Sequence, residues 1–91
     1  MKITYDPKKD STNQSKHGVS LAFAIHLEWD CLQAEPDCRK DYGEQRMIGY
    51  APVLDSVYCV VYIDRDDERR IVSLRKANKR EVNRYEIYIS P

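Results

Sequence analysis

The residues able to do chemistry in this chain are few, and most are cations. His17 stands in Lys16-His17-Gly18, beside a lysine and ahead of a glycine. Imidazole is the usual side chain for acid–base work. A cationic group at a helix end also favours the local dipole, so the same position reads equally as a helix terminus. Arg46 and Arg75 carry the planar fork that suits bidentate contact with a phosphate and stays charged. Each could also be a surface charge, and Glu44 could pair with Arg46 along the strand. Lys76 adjoins Arg75, and a neighbouring cation makes an ammonium readier to release its proton. Glu81 and Tyr85 are four residues apart. Glu81 could orient Arg46 or Arg75, or offset Lys79 and Arg80 locally. Tyr85 falls on an apolar helical stripe, yet its hydroxyl could serve as a proton donor. A structural role is expected for His26.

Metal chemistry has no obvious seat. The cysteines are Cys31, Cys38 and Cys59, an odd number with no close pair. No paired carboxylates or His/Cys set has ligand spacing, so no metal and no cofactor is expected. Cys59 lies in an apolar run and reads as a core thiol.

These groups need a scaffold of 91 residues, which predicts a single domain over residues 1–91 with a small core. Hydrophobic residues make up 42% of the chain, enough to argue against disorder. No apolar run approaches the ~20 residues of a membrane helix, and MKITYDPKKD lacks a secretory h-region. A soluble cytoplasmic protein with no membrane association is the expectation. The net charge is zero but divided. Residues 69–84 hold seven basic side chains and one acidic, a net of +6, and residues 28–68 carry a net of −7. A basic C-terminal segment on a neutral chain points to a polyanion site, with a solvated helix face as the plain alternative.

The elements can be placed by punctuation and period. Residues 2–5 read as a short strand. Asp6 and Pro7 suit the N-cap and first position of a polar helix over 7–16, with Gly18 ending it in a left-handed conformation. Ser20 caps a second helix over 21–26. Residues 33–43 read as an acidic loop. Strands follow at 45–50, 57–63 and 69–75, the second apolar on both faces and therefore central. Residues 64–68 make a charged hairpin turn. Alternation along the last strand groups Arg69, Ile71, Ser73 and Arg75 on one face, and Arg70, Val72 and Leu74 on the other. A helix over 78–88 presents Val82, Tyr85 and Ile89 as a buried stripe and Lys79, Arg80 and Arg84 outward. The sum is an α+β domain: a small antiparallel sheet of about four strands with two N-terminal helices and one C-terminal helix.

Several pieces together resemble the BrnT family of bacterial toxins. They are Tyr5-Asp6-Pro7 with Lys9 and Asn13, then Lys16-His17-Gly18-Val19-Ser20. Next come Glu44 and Arg46 with Ile48-Gly49, then Arg70-Ile71-Val72-Ser73 with Arg75-Lys76-Ala77, and finally Glu81 with Tyr85. They follow the family's order and span nearly the whole chain. Leu21 stands where the family often has an aromatic residue, and Val82 where it often has a basic one.

The resemblance implies a RelE-like fold and an endoribonuclease that blocks translation. It also implies a cognate BrnA-like antitoxin of the ribbon-helix-helix class, with DNA touched only through that complex. Under this reading RNA cleavage needs a base for the ribose 2′-OH, cations for the phosphate charge and an acid for the leaving oxygen. Arg46, Arg75, Lys76, Tyr85 and His17 are the catalytic candidates. Lys16, Arg70, Lys79, Arg80 and Arg84 are the RNA-binding candidates, and Glu44 and Glu81 the orienting ones. The competing reading is a non-catalytic RNA- or protein-binding module, a decayed toxin.

Overall fold

Asp6 accepts a hydrogen bond from the Lys8 N–H, and Pro7 opens helix α1 (Pro7–His17), which follows strand β1 (Lys2–Tyr5). Gly18 closes α1 at φ 72°, donating its N–H to the Gln14 carbonyl. The computed structural model describes residues 1–90. The rest of the chain runs through two 3₁₀ segments, Leu21–His26 and Trp29–Cys31. Strands β2 (Gln33–Pro36), β3 (Met47–Val53), β4 (Ser56–Arg65) and β5 (Glu68–Lys76) follow, and α2 (Lys79–Ile89) ends it.

The sheet has five strands in the order β1-β5-β4-β3-β2. It is mixed rather than antiparallel, because β1 runs parallel to β5 while the other pairs are antiparallel. Tight hairpins tie β3, β4 and β5 in succession. The return from β1 passes through the whole chain, which a local reading of turns cannot foresee. Residues 33–36 are not loop: they form β2, paired with β3 from Gln33↔Tyr50 to Pro36↔Met47. Their acidic, proline-containing composition fits a short edge strand. At Gly49 the approach is too close for a side chain, since a Cβ there would meet the Ala34 Cβ at 2.8 Å.

The second N-terminal helix is 3₁₀ rather than α, and its spacing shows why. Leu21, Ala24 and Leu27 are buried at intervals of three, and Ile25 is exposed. Those three residues pack on Ala51, Tyr58, Val60, Tyr62, Ile71 and Leu74 to make the main core on one face of the sheet. Phe23 leans on Tyr58, and Trp29 meets Tyr62 edge-on. Arg69 stacks over the Tyr62 and Trp29 rings and is held by both carboxylate oxygens of Asp64. It is therefore withdrawn from the basic C-terminal cluster.

Ile71 and Leu74 both enter the core, although simple alternation separates them. A bulge between Val61 and Tyr62 breaks the register: Val61 pairs with Ser73, and Tyr62 with Ile71. Val72 is the additional residue, so the parity of β5 changes there. Arg70 consequently sits opposite Ile63 and is exposed, not grouped with Leu74 on the core face. In α2, Tyr85 is buried but Ile89 is 55% exposed, so the expected stripe is apolar without being fully covered.

Candidate active site

The second face of the sheet holds a row of three side chains. Tyr50 on β3 pairs with Cys59 on β4, which pairs with Arg75 on β5. The small thiol in the middle lets the larger neighbours converge above it, and they meet at Glu81 of α2. Arg75 donates from Nη1 to Glu81 Oε1 at 2.8 Å and from Nη2 to Oε2 at 2.9 Å. The Asn78 N–H donates to Oε1 at 2.9 Å, and the Tyr50 hydroxyl to Oε2 at 3.1 Å. Asn78 in turn caps the Glu81 N–H, which completes a capping box at the start of α2.

The Arg75 hydrogen bonds hold the buried Glu81 carboxyl down at about 2, against an ordinary 4.5, and outweigh the opposing effect of burial. Glu81 is thus a fixed anion with its acceptor positions filled, which suits orientation and not proton transfer. Burial pushes the Tyr50 hydroxyl up to about 12 and the Cys59 thiol upward as well. Neither is poised as a nucleophile near neutral pH. Arg75 has five N–H donors. Two go to Glu81 and one to the Lys76 carbonyl. Among the described residues the Nε–H and one Nη2–H have no acceptor.

Other cations border this row. Arg84, on the α2 surface, reaches the Tyr50 hydroxyl at 3.5 Å. Lys79 and Arg80 are exposed on the first turn of the same helix. Lys16 and His17 line a shallow groove of about 330 Å³ with Lys8, Lys9 and Ser73. Ser73, which lines this groove, pairs with Val61 and so shares a sheet face with Arg75. Arg70 borders another cleft with Glu44, Arg65 and Glu68.

The remaining candidates lie apart. Lys76 pairs with Tyr58 of the core face, so it projects away from Arg75 although the two adjoin in sequence. Arg46 lies over the Tyr42 ring at 3.9 Å, and Glu44 pairs with Arg65 instead of Arg46. Tyr85 is 3% exposed and donates its hydroxyl to the Cys31 carbonyl at 2.6 Å, so it fastens α2 to the second 3₁₀ segment. Among the described residues no group of three His, Cys, Asp or Glu gathers as a metal site. Tyr50, like the Asn78 cap, is a member of the network that sequence reasoning omitted. A signal existed, since alternation from Arg46 through Ile48 carries to Tyr50. The buried Asp37, gripped by Arg39 at 2.7 and 2.8 Å, had none, because that segment reads as loop.

A mixed sheet with the 3₁₀ segments on one face and a carboxylate-locked arginine among exposed cations on the other defines a small α+β domain. The family model for the ribonuclease toxin BrnT, of type II toxin–antitoxin systems, matches residues 5–81, and the chain belongs to that family. It is a ribonuclease toxin by that membership, with RNA as its substrate and an antitoxin as its partner. No curated protein matches the chain closely. Among the described residues no helix is long and apolar enough to cross a membrane.

The ion pairs set an acid limit on stability. Glu81 and Asp37 are both held at about 2, below ordinary values of 4.5 and 3.8. A depressed carboxyl stabilises the fold above its unfolded pKa, and the gain is lost as pH falls through the folded value. Thermal midpoints should therefore be level from pH 7 to about 5 and fall between about 4.5 and 2. For Glu81 the loss is on the order of 1–2 kcal/mol after allowance for solvent screening. Glu81→Gln should flatten part of that slope, and an unchanged slope in this variant would refute the assignment.

Proposed function

We propose that this toxin cleaves RNA without a metal ion, on the sheet face that carries Arg75. The ribose 2′-oxygen attacks the adjacent phosphorus, and a 2′-O–P bond forms as the P–O5′ bond breaks. The 2′-OH proton passes to a base and the 5′-oxygen receives a proton, leaving a 2′,3′-cyclic phosphate. Arg75 meets the non-bridging oxygens with its free Nε–H and Nη2–H, and Glu81 holds its plane. RNA approaches along β5 from the α1 groove, where Lys16 supplies charge and His17 a group able to take and give a proton. Ser73 lies one strand repeat, roughly 7 Å, from Arg75 along this path. Arg70, Arg80, Arg84 and Lys79 contribute charge at its borders.

The observation that carries this reading is the bidentate Arg75–Glu81 pair beside unpaired donors on the same guanidinium. The toxin acts in the cytoplasm, and a ribbon-helix-helix antitoxin of the BrnA kind neutralises it and makes the contact with DNA. Purified chain incubated with RNA and a chelator should yield 2′,3′-cyclic ends, detected by mass spectrometry. Cleavage abolished by the chelator, or products with 3′-hydroxyl ends, would sink the metal-free route.

A further inference from the structure

We propose that Tyr50 is a positioning residue of the ribonuclease site, its hydroxyl fixing the plane of Glu81 and, through it, the plane in which Arg75 meets phosphate. The inference rests on the Arg75 reading above.

The Arg75–Glu81 pair alone leaves one freedom. Two forks joined by parallel hydrogen bonds are coplanar, but the pair can tilt as a unit about the long side chains that carry it. Asn78 restrains Oε1 from α2 itself, so it cannot relate that helix to the sheet. Tyr50 can. It stands on β3, two strands from Arg75, and its hydroxyl donates to Oε2, the oxygen that also accepts from Arg75 Nη2. The carboxylate is therefore held from β3, β5 and the α2 terminus together. A tyrosine reaches this far because Cys59 between the strands is small, and its ring brings a rigid lever with few rotamers.

Tyr50 is not itself placed for proton transfer. Burial holds its hydroxyl well above neutrality, and its proton is committed to Glu81. Its contribution is to the geometry of the free Arg75 donors, and catalysis is sensitive to displacements of the ångström order. Arg84, next to the same hydroxyl, adds positive charge without bonding to Glu81.

The test compares wild type, Tyr50→Phe and Arg75→Ala on a short RNA, with kcat and KM measured separately and the folded fraction followed by circular dichroism. Tyr50→Phe should lower kcat about 10-fold or more while KM stays within about twofold, the pattern of an interaction made in the transition state. The acid limb of its pH profile should also move upward, since Glu81 loses one of the donors that stabilise its charge. In a Glu81→Gln background the same substitution should have little further effect, because both changes act through one bond. If kcat for Tyr50→Phe stays within twofold of wild type while Arg75→Ala is inactive, the positioning role is wrong and the Arg75 site stands. If kcat falls only in proportion to lost folded protein, Tyr50 supports the fold and the inference is likewise overturned. Full activity in Arg75→Ala overturns the site reading and this inference with it.

Discussion

Arg75→Ala is expected to reduce RNA cleavage by roughly 100- to 1,000-fold, the cost of removing a preorganised donor aimed at developing charge. The guanidinium is part-buried and locked, so its two free N–H groups are oriented before substrate arrives. Arg75→Lys should recover little, because an ammonium cannot make the parallel pair of bonds to Glu81 and keep further donors in the same plane. Truncation also leaves Glu81 as a buried anion with Tyr50 and the Asn78 N–H as its remaining partners, so a stability loss of about 1–3 kcal/mol should accompany it. Single-turnover cleavage by folded protein separates the two effects. In a bacterium, growth arrest on induction of the chain should disappear with Arg75→Ala. Arrest and cleavage both persisting would move the active centre elsewhere, with the Lys16–His17 groove the next place to test.

Asn13→Ala is expected to destabilise the fold by about 2–4 kcal/mol although Asn13 sits on a polar helix. β1 pairs with β5 only as far as Tyr5↔Ile71, and α1 takes over the sheet edge beyond it. There the Asn13 side chain substitutes for a strand. Its Oδ1 accepts from the Leu74 N–H at 3.2 Å, and its Nδ2 donates to the Leu74 carbonyl at 2.8 Å and the Val19 carbonyl at 2.9 Å. Alanine leaves buried backbone groups of Leu74 unpaired in the segment leading to Arg75. Asn13→Asp should not rescue, since a carboxylate accepts but cannot donate to those carbonyls. Chemical denaturation gives the measure, and a loss below 1 kcal/mol would mean water replaces the amide.

The turn at Lys16-His17-Gly18-Val19-Ser20 shows how much local chemistry can specify. Gly18 stops α1, and Ser20 caps the next segment through the Ala22 N–H. Asp10 then ties the two together, accepting from the Ser20 hydroxyl and the Leu21 N–H. The first two devices need only short-range rules. The third joins residues ten and eleven apart, and nothing in the composition of α1 announces it.

By itself the sequence determined the α+β class, both α-helices, the caps of α1 and the central β4. It also pointed to Arg75 and Glu81, because each of these rests on period, capping or charge within a few neighbours. Tertiary structure decided the rest. It made β1 parallel to β5, drew residues 33–36 into the sheet and shifted the parity of β5 through a bulge. That shift left Arg70 at the surface, while Lys76 stayed on the opposite face from Arg75. Tyr85 became a fastening of α2, and Tyr50 was brought to Glu81 across 31 residues of chain. Those outcomes depend on which backbone edges and side chains lie across the sheet, a relation between distant segments that no local pattern encodes.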